Sequence, residues 1–195
     1  MTGGSEATSA AAACGLPSDS FDLAIGEAAF LGKVAVLGSD EAFHRAVSAQ
    51  LGFDLPRTAN RVHAQGDLAA MWLSPSEWML VTPQGHEGAL VASLQAALAE
   101  VHALVVDVSD RWTVISVAGG KAAAVLGKGT SVALAAPAFA VGRCCQTRLF
   151  SLPAIIRQVD DRPRFDIFVD STLSHYIRRW LAHSAAGLDV QAFGP

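Results

Sequence analysis

Cysteine is scarce, with three in 195 residues. Cys14 stands alone near the start, and Cys144 and Cys145 are adjacent. An odd count without framework spacing excludes the disulfide scaffold of a small secreted domain. Charge is scarce as well. Asp, Glu, Lys and Arg make up 16% of the chain against 51% hydrophobic residues, below the usual quarter. Such a composition points to surface buried against partners. Apolar runs are strand-length, far short of the ~20 residues a membrane-spanning helix needs. The stretch from Met1 to Cys14 has neither a basic start nor an apolar segment and is not read as a signal peptide, so the expected location is the cytoplasm.

An excess of positive charge is missing too. The net charge is -4, which leaves no basic footprint for nucleic acid. The charge is uneven, however: residues 1–110 hold 4 Lys/Arg and 13 Asp/Glu, whereas residues 111–195 hold 10 Lys/Arg and 5 Asp/Glu. That asymmetry can orient a protein against an oppositely charged partner.

Motifs that carry chemistry are likewise absent. There is no Cys-x-x-Cys, no Gly-x-Gly-x-x-Gly and no Gly-x-Ser-x-Gly, so neither a zinc site, a dinucleotide loop nor a nucleophile elbow is expected. Gly127-Lys128-Gly129-Thr130 fails as a phosphate loop, because position 122 is Ala and Lys128 is followed by Gly; it reads as a helix end beside a cation. His86-Glu87 fails as a zinc-protease helix because position 90 is Leu. The six histidines are scattered. Cys144 and Cys145 read as small hydrophobes rather than a redox pair, since adjacent cysteines bridge only with strained geometry. Asp107, Asp110 and Arg111 form a polar cluster in an apolar stretch. It reads as a turn whose side chains bond the local backbone, with a carboxylate that holds an amine or pterin as the alternative. No catalytic, cofactor-binding or metal-binding residue is assigned.

What is present is one pattern written twice. Lys33–Gly38 reads as a strand leading into Ser39, a helix cap, with Phe43, Ala46, Val47 and Leu51 at helical spacing. A connector follows; then Leu68–Leu73 and Trp78–Val81 form a hairpin around Ser74-Pro75-Ser76. Leu90, Val91, Leu94, Ala97, Leu98 and Val101 make a helical stripe. Strands at Leu104–Val108 and Trp112–Val117 open a second round. A helix carries Ala122, Ala123, Val125 and Leu126, and a strand lies near Gln146–Leu149. A hairpin joins Ala154–Val159 to Phe165–Val169. The closing helix has Leu173, Tyr176, Ile177, Trp180 and Leu181 on its apolar stripe. Gly38 and Gly119 stand 81 positions apart in matching contexts. The expected fold is α+β with antiparallel sheets and flanking helices. It comprises two pseudo-equivalent halves, about 19–102 and 103–186, between tails at 1–18 and 187–195.

Several segments together resemble a known family. They are Leu55-Pro56-Arg57-Thr58-Ala59-Asn60, the hairpin Trp72-Leu73-Ser74-Pro75-Ser76-Glu77-Trp78, the run Val106–Thr113, Ala118–Gly129 and Phe139–Arg148. In this order they resemble the gamma subunit of heterotetrameric sarcosine oxidase, with Ser74 where that family has Gly and Ser76 where it has Asp. Both substitutions keep turn chemistry. The resemblance implies a duplicated fold similar to the folate-binding domain of aminomethyltransferases. It implies alpha, beta and delta partner subunits, and a holoenzyme with FAD, FMN, NAD and zinc that uses tetrahydrofolate, none of them bound by this chain. It also implies oxidative demethylation of sarcosine to glycine, with hydrogen peroxide formed. Related N-methyl amine oxidases share the pattern. A free-standing folate-binding aminomethyltransferase-like or accessory protein is the alternative, although the Lys-Gly-Cys motif of iron–sulfur repair relatives is replaced here by Lys128-Gly129-Thr130. Arg111, Trp112, Arg143, Gln146 and Thr147 are the candidate interface residues, because Arg and Trp are enriched at interface hot spots.

Overall fold

The computed structural model describes residues 22–28 and 30–188. The expected tail at 1–18, Cys14 and residues 189–195 lie outside them. Ten strands and four helices follow one another as β1 (Ala24–Glu27), β2 (Leu31–Leu37), α1 (Glu41–Leu51), β3 (Val62–Gln65), β4 (Leu68–Ser74), β5 (Glu77–Pro83) and α2 (Glu87–Ala97), then β6 (Leu104–Asp107), β7 (Trp112–Ala118), α3 (Ala122–Gly127), β8 (Cys144–Leu149), β9 (Leu152–Asp160), β10 (Arg164–Asp170) and α4 (Ser174–Ala186). The order strand, strand, helix, three strands, helix thus occurs twice among the described residues.

The strands form two five-stranded antiparallel sheets, one ordered β3-β4-β5-β2-β6 and the other β8-β9-β10-β7-β1. Each sheet takes four strands from one half of the chain and its last edge strand from the other. β6 closes on β2 with Val34 opposite Asp107, and β1 closes on β7 with Ile25 opposite Val117.

Alternation along the strands sorts the core into three parts. On β5, Trp78 and Leu80 face α1 and α2, together with Phe43, Val47 and Leu94. Met79 and Val81 face the other sheet, among Met71, Val114, Cys144, Ile155 and Phe168. On β10, Phe165, Ile167 and Val169 face α3 and α4, against Leu126, Ile177 and Leu181. The architecture is therefore helices, sheet, sheet, helices, with the inner apolar layer between the sheets.

Local chemistry accounts for the helix ends. Asp40, not Ser39, caps α1: its side chain accepts from the Phe43 N–H at 2.6 Å. Both residues are able caps, and the helix starts one position later than the sequence reading placed it. Gly52 ends α1 in the left-handed region at φ 80°, where a side chain would be strained. On α2, Leu94 and Leu98 are buried as the spacing requires, but Ala97 is exposed. On α4, Ile177 and Leu181 are buried, whereas Tyr176 and Trp180 are 43% and 41% exposed. Their positions continue the apolar stripe in sequence, yet they lie on the solvent side of the helix. No helix among the described residues is long and apolar enough to cross a membrane.

Candidate functional site

A partly polar cleft of about 210 Å³ is lined by Glu27, Phe30, Lys33, Asp110, Trp112 and Ser171 among others. The chain builds it where β2 and β7, the strands next to the exchanged edges, begin. Lys33 sits on its floor and is only 1% exposed. Its ammonium donates to the Trp112 carbonyl at 2.7 Å and lies 4.7 Å from the centre of the Phe30 ring. Burial pushes the Lys33 amine below its ordinary value, while Asp110, Asp107 and Glu87 pull it back up.

The turn beside Lys33 is held by the polar cluster picked out in the sequence. The Asp107 carboxylate accepts from the Ser109 N–H at 2.8 Å. The Ser109 hydroxyl accepts from the Lys33 N–H at 2.9 Å, and the Ser171 hydroxyl donates to the Asp110 carbonyl at 2.7 Å. A buried lysine with a lowered pKa suits amine chemistry in general, but this one is engaged by a carbonyl and an aromatic face. Its bond to Trp112 ties a strand of one sheet to a strand of the other. Among the described residues, no three His, Cys, Asp or Glu side chains converge as a metal site would require.

The candidate interface residues fall into two groups. Trp112 lines the cleft, and the Arg111 guanidinium lies 4.9 Å from its ring centre. Arg143 lies just before β8, and Gln146 and Thr147 lie within it. There Arg143 bridges to Arg61, the Gln146 amide donates to the Leu73 carbonyl at 2.6 Å, and the Thr147 hydroxyl meets that of Thr130 at 2.9 Å. Gln146 and Thr147 therefore have partners within the chain.

The two thiols point to opposite faces of β8. Cys144 joins the inter-sheet layer and Cys145 packs toward α3 and α4. Both are free. Burial pushes them up to about 12 and about 11 respectively, so neither is a poised nucleophile. His44 is buried, its ring edge-on to Trp78 at 5.2 Å, and burial lowers its pKa. The sequence reading also missed the exposed aromatic face of α4, where Tyr176 and Trp180 recur four positions apart beside Arg179 and His183. Spacing alone does not separate such a face from a core stripe.

The sarcosine oxidase, gamma subunit family model matches residues 36–187. The chain belongs to that family. A sarcosine oxidase subunit gamma from Arthrobacter sp. is 34% identical over 127 residues, which cover 65% of this chain and 61% of that subunit. The match therefore spans about three-fifths of that relative's length. The same subunit from Corynebacterium sp. (strain U-96) is 30% identical over 154 residues, covering 77% of this chain and 72% of the relative. Among solved structures, the heterotetrameric sarcosine oxidase from Corynebacterium sp. U-96, in complex with pyrrole 2-carboxylate, contains a chain that superposes with a TM-score of 0.81 at 24% identity. That superposition covers 88% of both chains. The glycine cleavage system aminomethyltransferase T from Bartonella henselae superposes at 0.68 with 16% identity, covering 90% of this chain but 48% of the enzyme. These two likenesses establish the shared fold.

Proposed function

We propose that the chain is the non-catalytic gamma subunit of a heterotetrameric sarcosine oxidase. Its role is to brace companion alpha, beta and delta subunits that hold FAD, FMN, NAD and zinc. The assembly demethylates sarcosine oxidatively to glycine, passes the one-carbon unit to tetrahydrofolate or releases it as formaldehyde, and forms hydrogen peroxide. The observation that carries this reading is the family match across residues 36–187. The cleft agrees with it, because the buried lysine there is engaged in holding the sheets together. Arg111, Trp112 and Arg143 remain candidate contacts. Gln146 and Thr147 remain candidate contacts as well, alongside the hydrogen bonds they make within the chain. The location is cytoplasmic.

We also read the chain as a duplication, with halves at about 19–102 and 103–186. The repeated element order and the matching strand orders support this. The likeness to aminomethyltransferase covers 48% of that enzyme, and the family match favours the subunit reading over a free-standing transferase.

The test is recovery of the tagged chain from its native cytoplasm, with partner identification, a flavin absorbance scan and sarcosine-dependent peroxide measurement. Three unlike partners, flavin colour and peroxide are expected. A colourless chain recovered alone that binds tetrahydrofolate overturns the reading.

A further inference from the structure

The outer face of α4 is assembled from parts the fold would not otherwise need. Trp180 lies parallel to Phe150, ring centres 5.6 Å apart and planes at 13°. Tyr176 tilts against the same indole at 6.2 Å, and the His183 ring stands edge-on to it at 6.0 Å. Tyr176, Trp180 and His183, together with His175 and Arg179, line a shallow depression of about 450 Å³.

Phe150 reaches that position at a conformational cost. It is the first residue of the two-residue turn between β8 and β9, with φ 48°, followed by Ser151 at φ 69°. Such a turn favours Asn and Gly at both places, and a bulky aromatic in the left-handed region is uncommon. Gly129 makes room for the ring, because a Cβ there would stand 2.7 Å from Phe150 Cε1. Backbone strain of this kind persists where the surrounding structure uses it. Here it places a second aromatic ring against an indole that faces solvent.

The charge of the same face narrows what can cover it. Residues 171–188 contain Arg178, Arg179, His175 and His183 and no carboxylate. Arg178 reaches back to Glu27 at 2.9 Å, whereas Arg179 lines the depression. A guanidinium beside stacked aromatics suits a partner that presents a carboxylate next to an apolar side chain. It does not suit a second copy of this chain, because a two-fold contact would set two cationic faces against each other. Trp, Tyr and Arg are also the residue types that dominate binding at protein interfaces.

We propose that the Tyr176–Arg179–Trp180 face, with Phe150 beneath it, docks a companion subunit of the oxidase through a segment carrying a carboxylate beside an apolar side chain. This rests on the subunit reading above. The experiment co-expresses the full-length chain with the alpha, beta and delta subunits of its own source. Wild type is compared with Trp180→Ala, Tyr176→Ala and Arg179→Glu, with incorporation read by native mass spectrometry and folding of each variant by thermal unfolding.

Trp180→Ala and Arg179→Glu are expected to weaken incorporation by about tenfold or more while the chain stays folded, and salt is expected to weaken the wild-type contact. Hydroxyl-radical footprinting of the wild type supplies a readout independent of mutation: oxidation of Trp180 and Tyr176 falls on assembly. Folded variants that incorporate like wild type, or a complex in which Trp180 is oxidised as in the free chain, overturn the docking proposal and leave the subunit reading standing. Self-association of the isolated chain that protects Trp180 and is abolished by Trp180→Ala, with assembly unaffected, overturns it in favour of a second copy. A wild-type chain that joins no complex removes the subunit reading, and the docking proposal with it.

Discussion

Met71 stands opposite Met79 on the inner face of one sheet, and Arg157 stands opposite Asp166 at the matching place in the other. The match follows from register: Met79 faces Ala35, Asp166 faces Ser116, and these two partners are separated by the same 81 positions as Gly38 and Gly119. One sheet meets the inner layer with two flexible apolar side chains. The other meets it with an ion pair at 2.8 Å whose guanidinium also lies over Phe168 at 5.5 Å. The outer faces differ in the same way. Trp78 and Phe165 occupy corresponding places opposite Val36 and Val117, but only the indole reaches a carbonyl, that of Pro56 at 2.8 Å. Asp40 caps α1, whereas the corresponding Lys121 leaves α3 without a side-chain cap. Strand pairing thus sets the frame, and side chains at equivalent places are free to diverge in chemistry.

The comparison is tested most severely at the ion pair. Asp166→Ala leaves the Arg157 guanidinium buried without its partner and is expected to cost about 3–5 kcal/mol, read from urea unfolding. Replacing both residues with Met, as in the other sheet, is expected to recover most of that loss, because a well-packed apolar pair substitutes for a buried ion pair at little cost. If the double variant stays as unstable as the single one, the two positions are not interchangeable. At the outer anchors, Trp78→Phe makes one sheet resemble the other and leaves the Pro56 carbonyl unpaired, a loss of about 1–3 kcal/mol. Asp40→Ala removes the cap that α3 already lacks, and about 1 kcal/mol is expected from thermal unfolding.

The smallest effect at neutral pH concerns the thiols. Cys144 occupies the place of Val62, each opposite a member of the cross-strand pairs above. Folding raises both thiol pKa values, so the unfolded chain ionises first. Stability is therefore unaffected below about pH 9 and falls as the pH climbs toward 11–12. Peptide mapping after alkylation at pH 7 to 9 is expected to find Cys144 and Cys145 unlabelled in the native chain and labelled after unfolding.

Much of this frame was legible in the sequence. The hairpins around Ser74-Pro75-Ser76 and Asp160-Asp161-Arg162-Pro163 announced themselves through turn residues between apolar runs, and they join β4 to β5 and β9 to β10. Two short strands were not legible. Ala24–Glu27 and Val62–Gln65 have four residues each and interleave Gly and Glu or His and Gln with few apolar positions, so no apolar run marks them, and β1 in addition pairs with a strand far along the chain. The burial of Lys33 was hidden because a lysine in a strand reads as a solvent-side residue, and only the opposing sheet supplies its carbonyl and ring. At α4 the error ran the other way. Tyr176 and Trp180 keep helical spacing, but the helix is narrow enough that Ile177, Leu181 and Ala185 already fill the side toward the sheet.

The exchange of edge strands has a consequence for how the chain comes into being. β1 precedes its hydrogen-bonding partner β7 by about 90 residues, and β2 precedes its edge partner β6 by about 70. Each half is therefore an incomplete sheet until the other has been made. The stretch from Ala24 to Ala97 lacks the strand that covers the open edge of β2, and its β1 has no partner within it, so a nascent chain paused between the halves presents unpaired strand edges. Contacts far apart in sequence make such a chain slow to finish and exposed while unfinished, which favours companions that arrive only after the last strand has paired.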